Sequence, residues 1–323
     1  MGRRLTLRFP DSPAGLTVAT GALLLLLLDA ARRKFRHSLM FCPERDPLVS
    51  WTPSDHGLPA DRVTDLHFRG PGNDKLHGWY CQAERPIASA LYCHGNSGNL
   101  THSAAVIPHL LSAGISVFLF DYRGFGKSQG IPSLTGVVAD AQAAAREHDR
   151  LRPQHIPAIV YGYSLGGAIA ARLVSEHRVD GLVLQSTFTN LRDMARLRSV
   201  RFPLQFISGN FFDTSRALST LETPVMLIHG TEDEVIPVEM ARKLVSSCRK
   251  PPVLHLIGGG QHKNLYQRDG EAILRRLQAY ISTLEQRKDL AASEWKPGAV
   301  ERVMRAVAGF REAMIGNTET KPV

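Results

Sequence analysis

From Asp61 onward, short apolar runs alternate with stretches whose apolar residues recur at helical spacing. The runs predict strands at Arg62–Phe68, Leu76–Gln82, Ala88–Cys93, Ser116–Phe120, Ala158–Tyr161, Gly181–Leu184, Val225–Ile228 and Val253–Leu256. Gly70-Pro71-Gly72-Asn73-Asp74 is a turn-rich joint that makes the first two a hairpin. Helices are predicted near Ser103–Ala113, Leu134–Leu151, Leu165–His177, Val238–Ser247 and Gly270–Arg287; in the last, Ile273, Leu274, Leu277, Ile281 and Leu284 keep a helical period with charges between them. Strands alternating with helices imply an α/β domain with an eight-stranded, mostly parallel sheet covered on both faces. Residues 186–222 break the alternation. They carry Phe188, Phe202, Phe206, Phe211 and Phe212 among Arg192, Arg196, Arg198 and Arg201 and read as a small lid insertion; the alternative is a plain connection whose aromatics fill the core.

The two ends differ from the middle. Ala14–Leu28 is uncharged and ends in six leucines, short for the roughly 20 residues a bilayer span needs. Residues 1–40 are therefore expected to form an N-terminal transmembrane anchor, with a cleaved signal peptide as the rival reading; Asp29-Ala-Ala-Arg-Arg-Lys makes a poor cleavage site. Basic residues flank both sides, Arg3, Arg4 and Arg8 before and Arg32, Arg33, Lys34 and Arg36 after, a slight excess that favours a cytoplasmic α/β domain. The α/β domain is expected over 41–287 and an amphipathic tail over 288–323, with Val300, Val303, Met304, Val307, Phe310 and Met314 on one helical face.

Composition adds little to this division. A chain of 323 residues, 43% hydrophobic, can bury a full core, and its net charge of +9 suits an anionic membrane surface. No zinc-finger or RNA-binding signature is present, so nucleic acid is not an expected partner. The four cysteines, Cys42, Cys81, Cys93 and Cys248, form no C-x-x-C pair and demand neither disulfide nor metal.

The chemistry concentrates in a few loops. Gly162-Tyr163-Ser164-Leu165-Gly166 lies between a predicted strand and a small-residue helix, the context in which a serine is lifted on a strained turn with glycines two before and two after it. A serine alcohol needs a histidine base and an acid to orient it, and in this arrangement the acid and then the histidine follow in the chain. The loop after Val225–Ile228 offers Glu232, Asp233 and Glu234, among which residue type alone does not choose; Asp233 is the expected acid. His262, in the flexible Gly258-Gly259-Gly260-Gln261-His262 loop, is the expected base, while His255 is read as a strand residue and His94 and His229 as supporting groups. Oxyanion donors are expected from the Leu165 amide and from the glycine-bearing loop after the third strand, at Asn96. Gly126-Lys127-Ser128 lacks the earlier glycine of a phosphate-binding loop, where Asp121 stands, so no nucleotide is implied.

Together, His94-Gly95-Asn96-Ser97-Gly98-Asn99, Asp121-Tyr122-Arg123-Gly124-Phe125-Gly126-Lys127-Ser128, Gly162-Tyr163-Ser164-Leu165-Gly166-Gly167 and His229-Gly230-Thr231-Glu232-Asp233 resemble the α/β-hydrolase-domain serine hydrolases of the bud-emergence type, over about Asp61 to Arg287. The resemblance implies the α/β-hydrolase fold, with Ser164 as nucleophile, Asp233 as acid, His262 as base, and Asn96 and Leu165 as oxyanion donors. Gln261-His262-Lys263-Asn264 departs from it, because an acidic or small polar pair usually follows the base. The function expected is hydrolysis of carboxylic esters or thioesters, of fatty-acyl type, without metal or cofactor. Alternatives are acyl transfer or peptide cleavage on the same residues, or a non-catalytic, membrane-tethered binding protein.

Overall fold

The computed structural model describes residues 40–197 and 212–294. The expected anchor span and the apolar face Val300–Met314 of the tail lie outside these residues, as does the 198–211 part of the predicted lid. Among the described residues no helix is long and apolar enough to cross a membrane.

The strands are β1 (Cys42–Pro43), β2 (Val63–Arg69), β3 (Lys75–Cys81), β4 (Ala88–Cys93), β5 (Ser97–Gly98), β6 (Ile115–Phe120), β7 (Ala158–Tyr163), β8 (Gly181–Gln185), β9 (Val225–Gly230) and β10 (Val253–Ile257). The helices are α1 (Leu100–Ser103), α2 (Ile107–Ser112), α3 (Leu134–Leu151), α4 (Leu165–Val174), α5 (Leu191–Leu197), α6 (Thr214–Leu218), α7 (Val238–Ser247) and α8 (Leu265–Glu294). Eight strands form one sheet in the order β10-β9-β8-β7-β4-β6-β3-β2, in which β3 runs antiparallel to both its neighbours and every other pair is parallel.

Register explains why the central strands read as unbroken apolar runs. Val160 is paired with Leu91 and Leu182, and Leu91 with Phe118; this row faces Val137, Ala141 and Ile169 of α3 and α4. The next row, Leu119, Tyr92, Tyr161 and Val183, faces Ile107, Leu110, Ile273 and Leu277 of α2 and α8. Both faces are covered, so alternation with polar residues disappears. Parallel strands also place the loops that follow β4, β7, β8, β9 and β10 along one edge, where the candidate chemistry gathers.

Three features differ from the expectation. A two-stranded parallel ladder pairs Cys42 with Ser97 and Pro43 with Gly98, a pattern too short to announce itself in sequence. Within residues 186–222, α5 and α6 form, and Phe188 and Phe212 are buried. Helix α8 starts at Leu265, ahead of the predicted Gly270, across a non-helical Asp269 with φ −154°.

Candidate active site

No residue separates β7 from α4 except Ser164, which takes φ 56° and ψ −120°. A non-glycine residue there is strained, and the surroundings hold it. The Ser164 N–H donates to the Gln185 carbonyl at 2.9 Å, and the Ser164 carbonyl accepts from the Gly167 N–H at 3.0 Å and the Thr187 hydroxyl at 2.7 Å. The flanking glycines are required by close approach: a Cβ on Gly162 would lie 2.5 Å from the Gly166 carbonyl oxygen, and one on Gly166 would lie 2.0 Å from that of Cys93.

The loop after β10 carries His262 over this turn. Its Nε2 stands 3.2 Å from Ser164 Oγ, and its Nδ1 stands 2.8 Å from Asp233 Oδ2. Asp233 is itself fixed, since Oδ1 accepts the N–H groups of Val235 (2.9 Å) and Ile236 (2.8 Å). Burial pushes the Asp233 carboxyl upward, but hydrogen bonds from His262 and the Ile236 N–H, with the charges of His262 and His229, hold it below its ordinary value. Glu232 and Glu234 are exposed; Glu234 accepts the His262 backbone N–H at 3.2 Å, leaving Asp233 as the acid that meets the imidazole. His229 stands 3.4 Å from Asp233 Oδ2 and donates from Nε2 to the Ile236 carbonyl at 2.8 Å, with its pKa lowered first by burial. His255 lies within β10, away from this array.

Asn96 and Leu165 line, with Ser164, a cavity of about 670 Å³. Leu165 opens α4, so its N–H is one of the free donors of a helix start. The Asn96 amide is oriented from behind. His94 Nδ1 donates to the Gly95 carbonyl at 2.8 Å, and because the peptide is planar and trans, the Asn96 N–H at its other end points the opposite way. The Asn96 carbonyl is taken by the Cys42 N–H at 2.8 Å, and the Asn99 side chain donates to the Glu44 carbonyl at 3.2 Å and the Asp46 carbonyl at 2.5 Å. Segment 42–46 thus braces the loop.

Sequence reasoning gave no role to the residues beneath that loop. Asp121, fully buried, accepts the Leu100 N–H at 2.6 Å and stands 3.5 Å from His94 Nε2 and 3.7 Å from His77 Nδ1. His77 Nε2 reaches Asp65 at 2.8 Å. Burial pushes the His77 pKa down, yet the nearby Asp121 carboxylate and the hydrogen-bonded Asp65 outweigh it and raise the value. Gly126-Lys127-Ser128 serves the same cluster. Lys127 sits 4.7 Å over the Trp51 ring and 3.6 Å from Asp65, while Ser128 accepts the His77 N–H and donates to the Asp121 carbonyl. The only sequence signal was the resemblance of the Asp121–Ser128 run.

Three side chains able to hold a metal do not converge anywhere among the described residues. Cys93 is buried, its thiol pushed up to about 12 by burial, the state of an inert structural cysteine.

A family model described as serine aminopeptidase, S33, matches residues 84–219. The uncharacterized protein YfhR of Escherichia coli strain K12 is 29% identical over 75% of this chain and 90% of its own length. The α/β hydrolase domain-containing protein WAV2 of Arabidopsis thaliana is 27% identical, over 73% and 84%. The uncharacterized membrane protein YNL320W of Saccharomyces cerevisiae is 29% identical, over 61% and 71%. Among solved structures, the Pyrococcus furiosus esterase Pf2001 superposes with a TM-score of 0.61 at 22% identity, covering 76% of this chain and 99% of the esterase. An eight-stranded sheet with a serine at the strained turn after β7, together with these matches, shows the α/β-hydrolase fold and supports the α/β-hydrolase superfamily.

Proposed function

We propose that the chain is a serine hydrolase that cleaves carboxylic esters or thioesters of apolar acyl groups, with Ser164, His262 and Asp233 as its triad. The observation that carries this reading is the unbroken contact line Ser164 Oγ, His262 Nε2, His262 Nδ1, Asp233 Oδ2, at 3.2 and 2.8 Å, opening on the cavity. Ser164 Oγ attacks the acyl carbonyl while His262 Nε2 takes its proton, and Asp233 holds the imidazole in the tautomer with hydrogen on Nδ1 and stabilises the imidazolium. The Leu165 and Asn96 amides receive the oxyanion, helped by the dipole of α4. His262 returns the proton to the leaving oxygen or sulfur, and water then hydrolyses the acyl-enzyme by the same steps in reverse.

Apolar residues Phe188, Leu191, Met194 and Val235 on the cavity wall support an acyl group. The name of the yeast relative and the Ala14–Leu28 run support attachment to a membrane, where such substrates reside. The test is labelling by a fluorophosphonate probe of wild type, Ser164→Ala and His262→Ala. Labelling confined to wild type is the expected result; a folded wild type that does not label would sink the reading and leave the binding-protein alternative.

A further inference from the structure

The cavity beside Ser164 has two unlike walls. One is continuous with the core on the α3–α4 face of the sheet and is built from Met40, Phe188, Leu191, Met194, Val235 and Ile236. The other adjoins the α2–α8 face and carries His102, His109, Lys263 and Gln267 around Tyr163 and Tyr266. His102 is matched by Glu44 at 3.3 Å, and His109 stacks on Tyr266 with ring centroids 5.3 Å apart. Lys263 is exposed and forms no ion pair among the described residues. No carboxylate lines the cavity among those residues either; that of Glu234, engaged by the His262 backbone N–H, is not part of its wall.

The order of events in the reaction tells the walls apart. His262 hands its proton to the departing oxygen or sulfur, so the leaving group lies beside His262. Lys263 is the next residue in the chain and lines the same cavity as His262, which leaves the apolar residues to an acyl chain. A leaving group bearing phosphate or carboxylate meets an uncompensated ammonium there. The amino terminus of a peptide would find no carboxylate to hold its charge and would be repelled by Lys263.

Resting on the hydrolase reading above, we infer that the site selects esters or thioesters with an anionic leaving group, and that Lys263 recognises that charge. Three octanoyl esters test it, differing in whether the phenol released bears a carboxylate, no charge or a trimethylammonium group. Comparing variant with wild type on the same ester cancels intrinsic leaving-group ability. Lys263→Glu is expected to lower the kcat/KM ratio of the anionic to the neutral ester by about five- to tenfold and to raise that of the cationic ester, with Lys263→Ala between and Lys263→Arg retaining the wild-type ratio. The differences should contract at 1 M salt, where the screening length is about 3 Å. Equal changes on all three esters, or none, would overturn the inference and leave Lys263 as part of the loop's shape. Fluorophosphonate labelling of the same preparations separates the levels: an unlabelled wild type defeats the hydrolase reading, and a labelled wild type with unmoved ratios defeats only the role of Lys263.

Discussion

Among the described residues two serine hydroxyls meet a histidine ring, and the shorter contact is not the one on the cavity. Ser89 Oγ and His148 Nε2 lie 2.7 Å apart between β4 and α3, against 3.2 Å for Ser164 and His262. Ser89 sits in ordinary strand, both partners are buried, no carboxylate hydrogen-bonds to His148, and the pair is absent from the cavity wall. Burial, helped by the nearby charge of Arg152, drops the His148 pKa to about 3, so the ring cannot accept a proton near neutrality. Ser164 has what Ser89 lacks: a strained turn that exposes it, an acid behind its histidine, amides beside it and a cavity in front. Proximity of hydroxyl and imidazole makes a hydrogen bond; reactivity needs the remaining four.

That contrast can be broken most forcefully at the hydroxyls. Ser164→Ala should reduce ester turnover on the order of 10⁵-fold or more and abolish probe labelling, whereas Ser89→Ala should leave labelling intact; turnover of both variants checks it. Asp233→Asn should cost roughly 10⁴-fold in kcat by favouring the wrong imidazole tautomer, with little change in the thermal midpoint. Ser89→Ala, in turn, should destabilise by about 1–3 kcal/mol, since it strands His148 Nε2 in the core, read from denaturant unfolding.

The smallest effects sharpen the contrast through pH. The folded-state value of His148, about 3, lies below its ordinary 6.5, so between those limits the unfolded chain binds more protons and stability falls as pH is lowered. His77, whose value is raised, acts with the opposite sign: its contribution is present below about 6.5 and is lost as pH rises through the folded value. His148→Gln should flatten the acid limb of a stability–pH profile and His77→Gln the neutral-to-alkaline limb. An unchanged profile in either variant removes that histidine from the account.

How much of this was legible beforehand follows the range of the interactions. The eight strands of the main sheet fall within two residues of their predicted bounds, because burial on both faces writes itself locally into each of the inner runs. The Gly162–Gly166 turn was readable for the same reason, its glycines answering contacts within a few residues as well as the Cys93 carbonyl. Choosing Asp233 over Glu232 and Glu234 required knowing which way the loop after β9 turns, a matter of Oδ1 capping two amides. Asp121 was opaque: its meaning lies in His77 and His94, carried by β3 and the loop after β4, and no local pattern encodes a three-element contact.

The ladder between β1 and β5 has a mechanical consequence. Cys42 and Glu44 grip the carbonyls of Asn96 and Gly98, so the backbone entering the domain at Met40 is tied within a few residues, about 7 Å of extended chain, to the loop proposed to hold the oxyanion. The first described strand is thus a tether on that loop, joined to it by backbone hydrogen bonds.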